Sequence, residues 1–116
     1  DYSFVNIGKI YKYLVSINMK PYVEISFTPD LLRSSNTTVT HYQGNTCPPN
    51  DYNKWYNFIK AFAQYLVDEF GIDEVSTWYF EVWNEPNDNF WTGNPKYDTY
   101  MQLYNSTARA IKAVSD

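Results

Sequence analysis

The residues in this chain best suited to chemistry lie in Phe80-Glu81-Val82-Trp83-Asn84-Glu85-Pro86-Asn87. Residues 78–84 are apolar and aromatic enough to read as a buried strand, and Pro86 stops it. Glu85 therefore falls at the strand's C-terminal end. In β/α folds that end is where ligands bind. Trp83, Phe90 and Trp91 are close in sequence, and desolvation beside such rings favours the protonated form of a carboxylic acid. That form is what a general acid needs. Asn84 offers one donor group and one acceptor, which suits a sugar hydroxyl. A carboxyl so placed can protonate a leaving glycosidic oxygen. It can equally do no more than accept bonds from a loop or helix start. Spacing alone leaves both readings open.

Composition removes several other chemistries. The chain has 116 residues, with 9 Lys+Arg against 13 Asp+Glu and a net charge of −4. That is one domain's worth of chain, and its acidic balance argues against a nucleic-acid backbone as partner. No apolar segment approaches the ~20 residues that cross a membrane as a helix. Cys47 is alone, which excludes an internal disulfide framework and a cysteine zinc site, and an unpaired cysteine fits a reducing interior such as the cytoplasm. His41 is also alone, so no two-histidine metal motif exists. No nucleophile elbow or phosphate-binding glycine loop is present. Aromatic residues are 20% of the chain, and most of them are expected in the core.

These residues need elements to position them. Apolar residues at Phe4, Ile7, Tyr11, Leu14 and Val15 give one helical face over 4–17, with Ser3 or Asp1 as cap. Residues 22–27 read as a short, mostly buried strand that carries Phe27 at its end. Residues 28–50 are polar, punctuated by proline and without periodicity. So long a loop tends to be functional. Trp55, Phe58, Ile59, Phe62, Ala63, Leu66, Val67 and Phe70 give the clearest helix, over 52–70. Asn50 or Asp51 would cap it, and Gly71 would end it in a left-handed conformation. Residues 72–77 form a connector of about one helical turn. Asn94-Pro95 reads as a cap followed by a first-turn proline, opening a helix that runs to the end. Helices alternating with apolar strands predict an α/β fold with parallel strands. Glu24 and Glu81 fall inside the strands, so each is expected to be paired or to face the site.

The stretch FEVWNEPNDNFW resembles the acid/base strand of glycoside hydrolase family 39, the β-xylosidase and α-L-iduronidase family. Asn-Glu-Pro alone marks a wider clan of retaining barrel glycosidases. The likeness extends to MKPYVEISFTPDLL, similar to the family's third barrel strand, and to TVTHYQGNTCPPNDYNKW, similar to the following loop and helix start. YNSTARAIKAV is similar to its fourth helix. The xylosidase branch is the nearer one.

The resemblance implies a partial (β/α)₈ barrel, roughly strands three and four with their flanking helices. Glu85 matches the general acid/base, and Asn84 the residue that bonds the hydroxyl next to the reacting carbon. His41 falls where the family often places an aromatic residue near the sugar, and the histidine departs from that pattern. Phe90 matches a loop aromatic lining the site. Phe27, Tyr42 and Trp91 are expected near it. The implied partner is a carbohydrate, a xyloside or related glycoside, with no metal or cofactor required.

A retaining glycosidase needs a second carboxylate about 5–5.5 Å from the first. The resemblance implies that this nucleophile comes from the seventh strand, outside this chain. Glu81 cannot replace it, lying about 13 Å before Glu85 along an extended strand. A (β/α)₈ barrel takes about 250 residues. Residues 1–116 are thus expected to be one fragment of a catalytic barrel, inactive alone. Two other readings are an iduronidase-like hydrolase of glycosaminoglycans and a carbohydrate-binding barrel without turnover.

Overall fold

The computed structural model describes residues 2–39 and 42–115. Helix α1 (Val5–Ser16) leads into strand β1 (Tyr22–Ile25). A single 3₁₀ turn (Asp30–Leu32) precedes two short strands, β2 (Thr38–Val39) and β3 (Tyr42–Asn45). Then follow α2 (Tyr52–Phe70), the one-turn α3 (Ile72–Val75), β4 (Tyr79–Val82) and α4 (Lys96–Lys112). Strands β1 and β4 pair in parallel, in register from Tyr22 opposite Tyr79 to Ile25 opposite Val82. No helix is long and apolar enough to cross a membrane among the described residues.

Helix α2 begins where its cap requires. The Asp51 carboxylate accepts from the backbone N–H of Asn53 at 2.8 Å and of Lys54 at 3.4 Å, satisfying donors the first turn leaves open. The helix ends at Gly71, whose N–H donates to the Val67 carbonyl at 2.8 Å. Gly71 has φ +82° as expected, but its ψ of 151° is extended, so the chain leaves outward into α3 rather than curling into a left-handed turn. Nothing lies within 4 Å of where a Gly71 Cβ would sit. Backbone conformation, not space, is what a side chain there would violate.

Two cap expectations change. Phe4 occupies the cap position of α1, and no side chain bonds to the helix start. Pro95 is the cap residue of α4, not its first helical residue, and Asn94 makes no capping bond. The Thr99 hydroxyl bonds back to the Pro95 carbonyl at 2.7 Å instead. Asp98 near the start of α4, and Arg109 and Lys112 near its end, complement the helix dipole.

The core lies between the sheet and the helices. Val23, Ile25 and Val82 face inward against Trp55, Ile59, Leu66, Leu103 and Ala110, all buried. Helices α2 and α4 pack together through a polar link in this apolar layer: the Trp55 indole donates to the Thr107 hydroxyl at 2.9 Å. That hydroxyl in turn donates a hydrogen bond to the Leu103 carbonyl at 2.8 Å, so neither polar group is stranded.

The strands are not buried on both faces as expected. Burial alternates along β1, with Tyr22 and Glu24 exposed and Val23 and Ile25 buried. Helices cover one face of the sheet only. On the other, Tyr22 and Tyr79 stack at 6.0 Å between centroids, 65% and 72% exposed. Glu24 is solvated and accepts from the Ser26 hydroxyl at 2.6 Å, while Glu81 is half-buried.

Residues 28–50 also differ from the expected irregular loop. β2 and β3 pair antiparallel, and isolated bridges join Thr28 to Asn45 and Arg33 to Pro49. The ties are long-range and polar, which is why no apolar periodicity announces them. The Asn45 amide donates to the Thr28 carbonyl at 3.0 Å and to the Asp30 carboxylate at 2.7 Å. The buried Thr28 hydroxyl donates to the Cys47 carbonyl at 2.6 Å. The segment is thereby pinned across the C-terminal end of β1.

Candidate active site

Both parallel strands end in backbone that L-residues rarely adopt. Phe27, two residues past β1, has φ +63°; past β4, Trp83 has φ +72° and Glu85 φ +44°. Non-glycine residues in this region are uncommon and cluster at functional sites, where surrounding structure holds them. Trp83 still extends the ladder by one step, its N–H donating to the Ile25 carbonyl at 2.9 Å. After it the chain turns sharply. The Asp88 N–H bonds back to the Glu85 carbonyl at 3.1 Å, and the Trp91 N–H to the Asp88 carbonyl at 3.3 Å.

An aromatic cluster supports this turn. The Trp83 indole is buried, edge-on to Trp91 at 5.1 Å and to Phe27 at 6.0 Å. Phe27 and Phe90 approach at 6.2 Å, tilted by 51°. Hydrogen bonds fix the loop from both sides. The Trp83 indole donates to the Phe90 carbonyl at 2.6 Å. The Lys96 ammonium donates to the carbonyls of Asp88 and Trp91, each at 2.6 Å. The Trp91 indole donates to the Thr99 hydroxyl at 3.1 Å, which anchors the loop to the first turn of α4. From the same helix, the Tyr100 hydroxyl donates to the Val82 carbonyl at 2.9 Å, at the last residue of β4. Burial pushes the Tyr100 phenol above its ordinary value, as does its proximity to Tyr104 and Glu81, so it remains a donor.

The expected site residues separate under this geometry. Glu85 stands at the turn with its side chain exposed, and Asn84 beside it is half-buried. The rings of Phe27, Trp83, Phe90 and Trp91 pack against one another, and the Glu85 side chain is exposed. The ion pairs among the described residues, Lys12–Glu69, Lys20–Glu74 and Arg33–Asp30, lie on other parts of the surface. Phe27 and Phe90 are half-buried and in mutual contact range. Trp91, expected near the sugar, is fully buried and presents no ring face, because its indole is spent between Trp83 and α4. Tyr42 opens β3, and its side chain is not described. His41 lies outside the described residues.

In the sequence Trp83 stands out only as an aromatic neighbour of the motif, and Lys96 does not stand out at all. Their partners are backbone carbonyls, which leave no mark in a side-chain pattern. The usable signal was the cost of burying an indole N–H, which normally finds an acceptor. Shallow depressions flank the turn. One of about 380 Å³ is lined by Pro86, Asn87, Tyr97 and Tyr100. Another of about 580 Å³ runs past Thr37, Asn89, Asn94 and Lys96.

An exposed carboxylate on a fixed turn beyond a parallel strand is the arrangement found in β/α enzymes. Comparison with known proteins narrows the class. The family model described as "Glycosyl hydrolases family 39" matches residues 1–116, and the chain belongs to that family. A Beta-xylosidase of Caldicellulosiruptor saccharolyticus is 46% identical over 116 residues, 98% of this chain and 23% of that protein. A Beta-xylosidase of Geobacillus stearothermophilus is 45% identical over 114 residues, 97% of this chain and 22% of that protein. The crystal structure of the GH39 enzyme from Xanthomonas axonopodis pv. citri superposes with a TM-score of 0.91 at 39% identity, over 99% of this chain and 22% of that one. The chain thus spans less than a quarter of the length of these relatives.

Proposed function

We propose that this chain is the acid/base segment of a retaining β-xylosidase, with Glu85 as its general acid and base. The observation that carries the reading is the turn after β4. It presents an exposed carboxyl at the C-terminal end of a parallel strand, on backbone held at φ +72° and +44° at Trp83 and Glu85. Membership of the family and two relatives named Beta-xylosidase support the sugar class. β1 and β4 then correspond to the third and fourth strands of a (β/α)₈ barrel. The nucleophilic carboxylate comes from protein outside these 116 residues, and residues 1–116 alone are inactive.

Protonated Glu85 gives its proton to the glycosidic oxygen as the bond from that oxygen to the anomeric carbon breaks. The nucleophile, about 5–5.5 Å away, captures the sugar as a covalent ester. Glu85, now a carboxylate, takes a proton from the water that attacks the same carbon, and the sugar leaves with its configuration retained. Asn84 bonds the hydroxyl adjacent to the reacting carbon. Phe90 and Phe27 form an apolar wall beside it, with Tyr42 and His41 near the sugar. Trp91 holds the wall from beneath.

The test is hydrolysis of phenyl β-xyloside by the full-length protein and by its Glu85→Ala variant. Turnover by the wild type and a loss of roughly 10²–10⁴-fold in the variant support the reading. Equal turnover by both makes Glu85 structural. A silent wild type that hydrolyses an iduronide moves the substrate to the acidic branch of the family.

A further inference from the structure

Glu85 receives no hydrogen bond to its carboxyl from the described side chains, and it is exposed. Its aim is therefore set by its backbone. Two features converge on that backbone. The first is the Trp83 indole, 1% exposed, whose N–H reaches across the turn to the Phe90 carbonyl at 2.6 Å. This bond closes the segment from Trp83 to Phe90 into a ring, and Glu85 lies inside it. The second is Lys96, whose ammonium holds the carbonyls of Asp88 and Trp91 on the far side of the same loop, each at 2.6 Å. Two partners for a cation, both neutral carbonyls of one loop, are what a clamp requires, and neither is a surface ion pair. Left-handed φ at Trp83 and at Glu85 is strained for both residues and persists only while such contacts over-determine the turn.

We infer that Trp83 and Lys96 are positioning residues for proton transfer: together they lock the turn that aims Glu85 at the leaving oxygen. The inference rests on the acid/base reading of Glu85 given above. Packing by itself would use the indole ring and be indifferent to its N–H. Phenylalanine at Trp83 retains much of the ring and removes the donor.

The discriminating readout is leaving-group dependence. A phenyl leaving group needs the proton from Glu85, while 2,4-dinitrophenolate departs without it. In the full-length enzyme, kcat/KM is measured on both aryl β-xylosides for wild type, Glu85→Ala, Trp83→Phe and Lys96→Met. Displacing the acid by about 1 Å costs on the order of 100-fold. Trp83→Phe is expected to lose roughly that factor on the phenyl substrate and little on the dinitrophenyl one. Lys96→Met, which leaves the core intact, is expected to show the same selective loss in smaller degree, and it decides the matter if Trp83→Phe does not accumulate folded. Equal losses on both substrates, or none on either, overturn the inference. If Glu85→Ala is selective while Trp83→Phe and Lys96→Met are not, positioning fails and the acid/base reading stands. If Glu85→Ala itself shows no selectivity, the acid/base reading fails and this inference falls with it.

Discussion

On the helix side of the sheet, Trp55, Ile59, Leu66, Leu103 and Ala110 are buried together, all of them from the regular helices α2 and α4. At the C-terminal ends of β1 and β4, Phe27, Trp83 and Glu85 all sit at positive φ. Side chains of Trp83, Lys96 and Tyr100 hold backbone carbonyls there at 2.6–2.9 Å. One region is built from apolar area and ordinary conformations. The other is strained, polar and pinned. The first provides stability, and the second uses some of it to fix one turn. The difference assigns separate readouts to the two regions. Changes in the first should move unfolding without altering which leaving groups the enzyme accepts. Changes in the second should alter that selectivity, whatever they do to unfolding.

The largest effect on stability belongs to the helical layer. Leu66 is fully buried. Leu66→Ala is expected to lower the unfolding free energy of the complete protein by about 2–5 kcal/mol, read from urea titration. The ratio of phenyl to dinitrophenyl hydrolysis should stay as in wild type. A changed ratio would join the two regions and break the comparison.

Thr107→Val is the next step down. Its hydroxyl is the acceptor for the Trp55 indole, and removing it leaves a buried donor without a partner. The expected loss is about 1–3 kcal/mol, and Thr107→Ser should recover most of it. No loss in Thr107→Val would show that the Trp55–Thr107 hydrogen bond contributes nothing to stability.

The smallest effect is a pH dependence on the surface. The Lys20 ammonium donates to the Glu74 carboxylate and holds it below its ordinary value of 4.5, with burial opposing and the Thr77 hydroxyl assisting. A carboxylate lowered on folding contributes stability above its unfolded value, and that contribution is lost as the pH falls through the folded one. The pair is solvent-accessible, so the term is minor. Lys20→Met should shift the urea midpoint slightly at neutral pH and not at all once Glu74 is protonated. A shift that survives in acid would point to the lysine stem and not to its charge.

The legible and illegible parts of this chain divide along the same line. Helix α2 was readable to the residue, because its apolar stripe, its Asp51 cap and Gly71 are local signals that agree. Asn84, Glu85 and Pro86 stand out in the sequence as three consecutive residue types at a strand end, and they follow β4 in the structure. The strap from Thr28 to Cys47 was not, since its strands are held by Asn45, Asp30 and Thr28 across long sequence separations. The exposure of Glu24 and Tyr22 was not either, because it depends on what covers the second face of the sheet. The roles of Trp83 and Lys96 were hidden for a third reason: both bond to carbonyls, which every residue has.

The most direct test of the central claim is azide rescue of Glu85→Ala in the complete enzyme, with 2,4-dinitrophenyl β-xyloside as substrate. This substrate forms the covalent intermediate without acid help, so the variant should stall at the step that needs Glu85 as base. Azide is a nucleophile that needs no base. The account predicts that azide raises turnover and that the product is a xylosyl azide of β configuration. No acceleration by azide, with Glu85→Ala turning over as wild type does, would contradict it and leave Glu85 as an ordinary residue at the end of a strand.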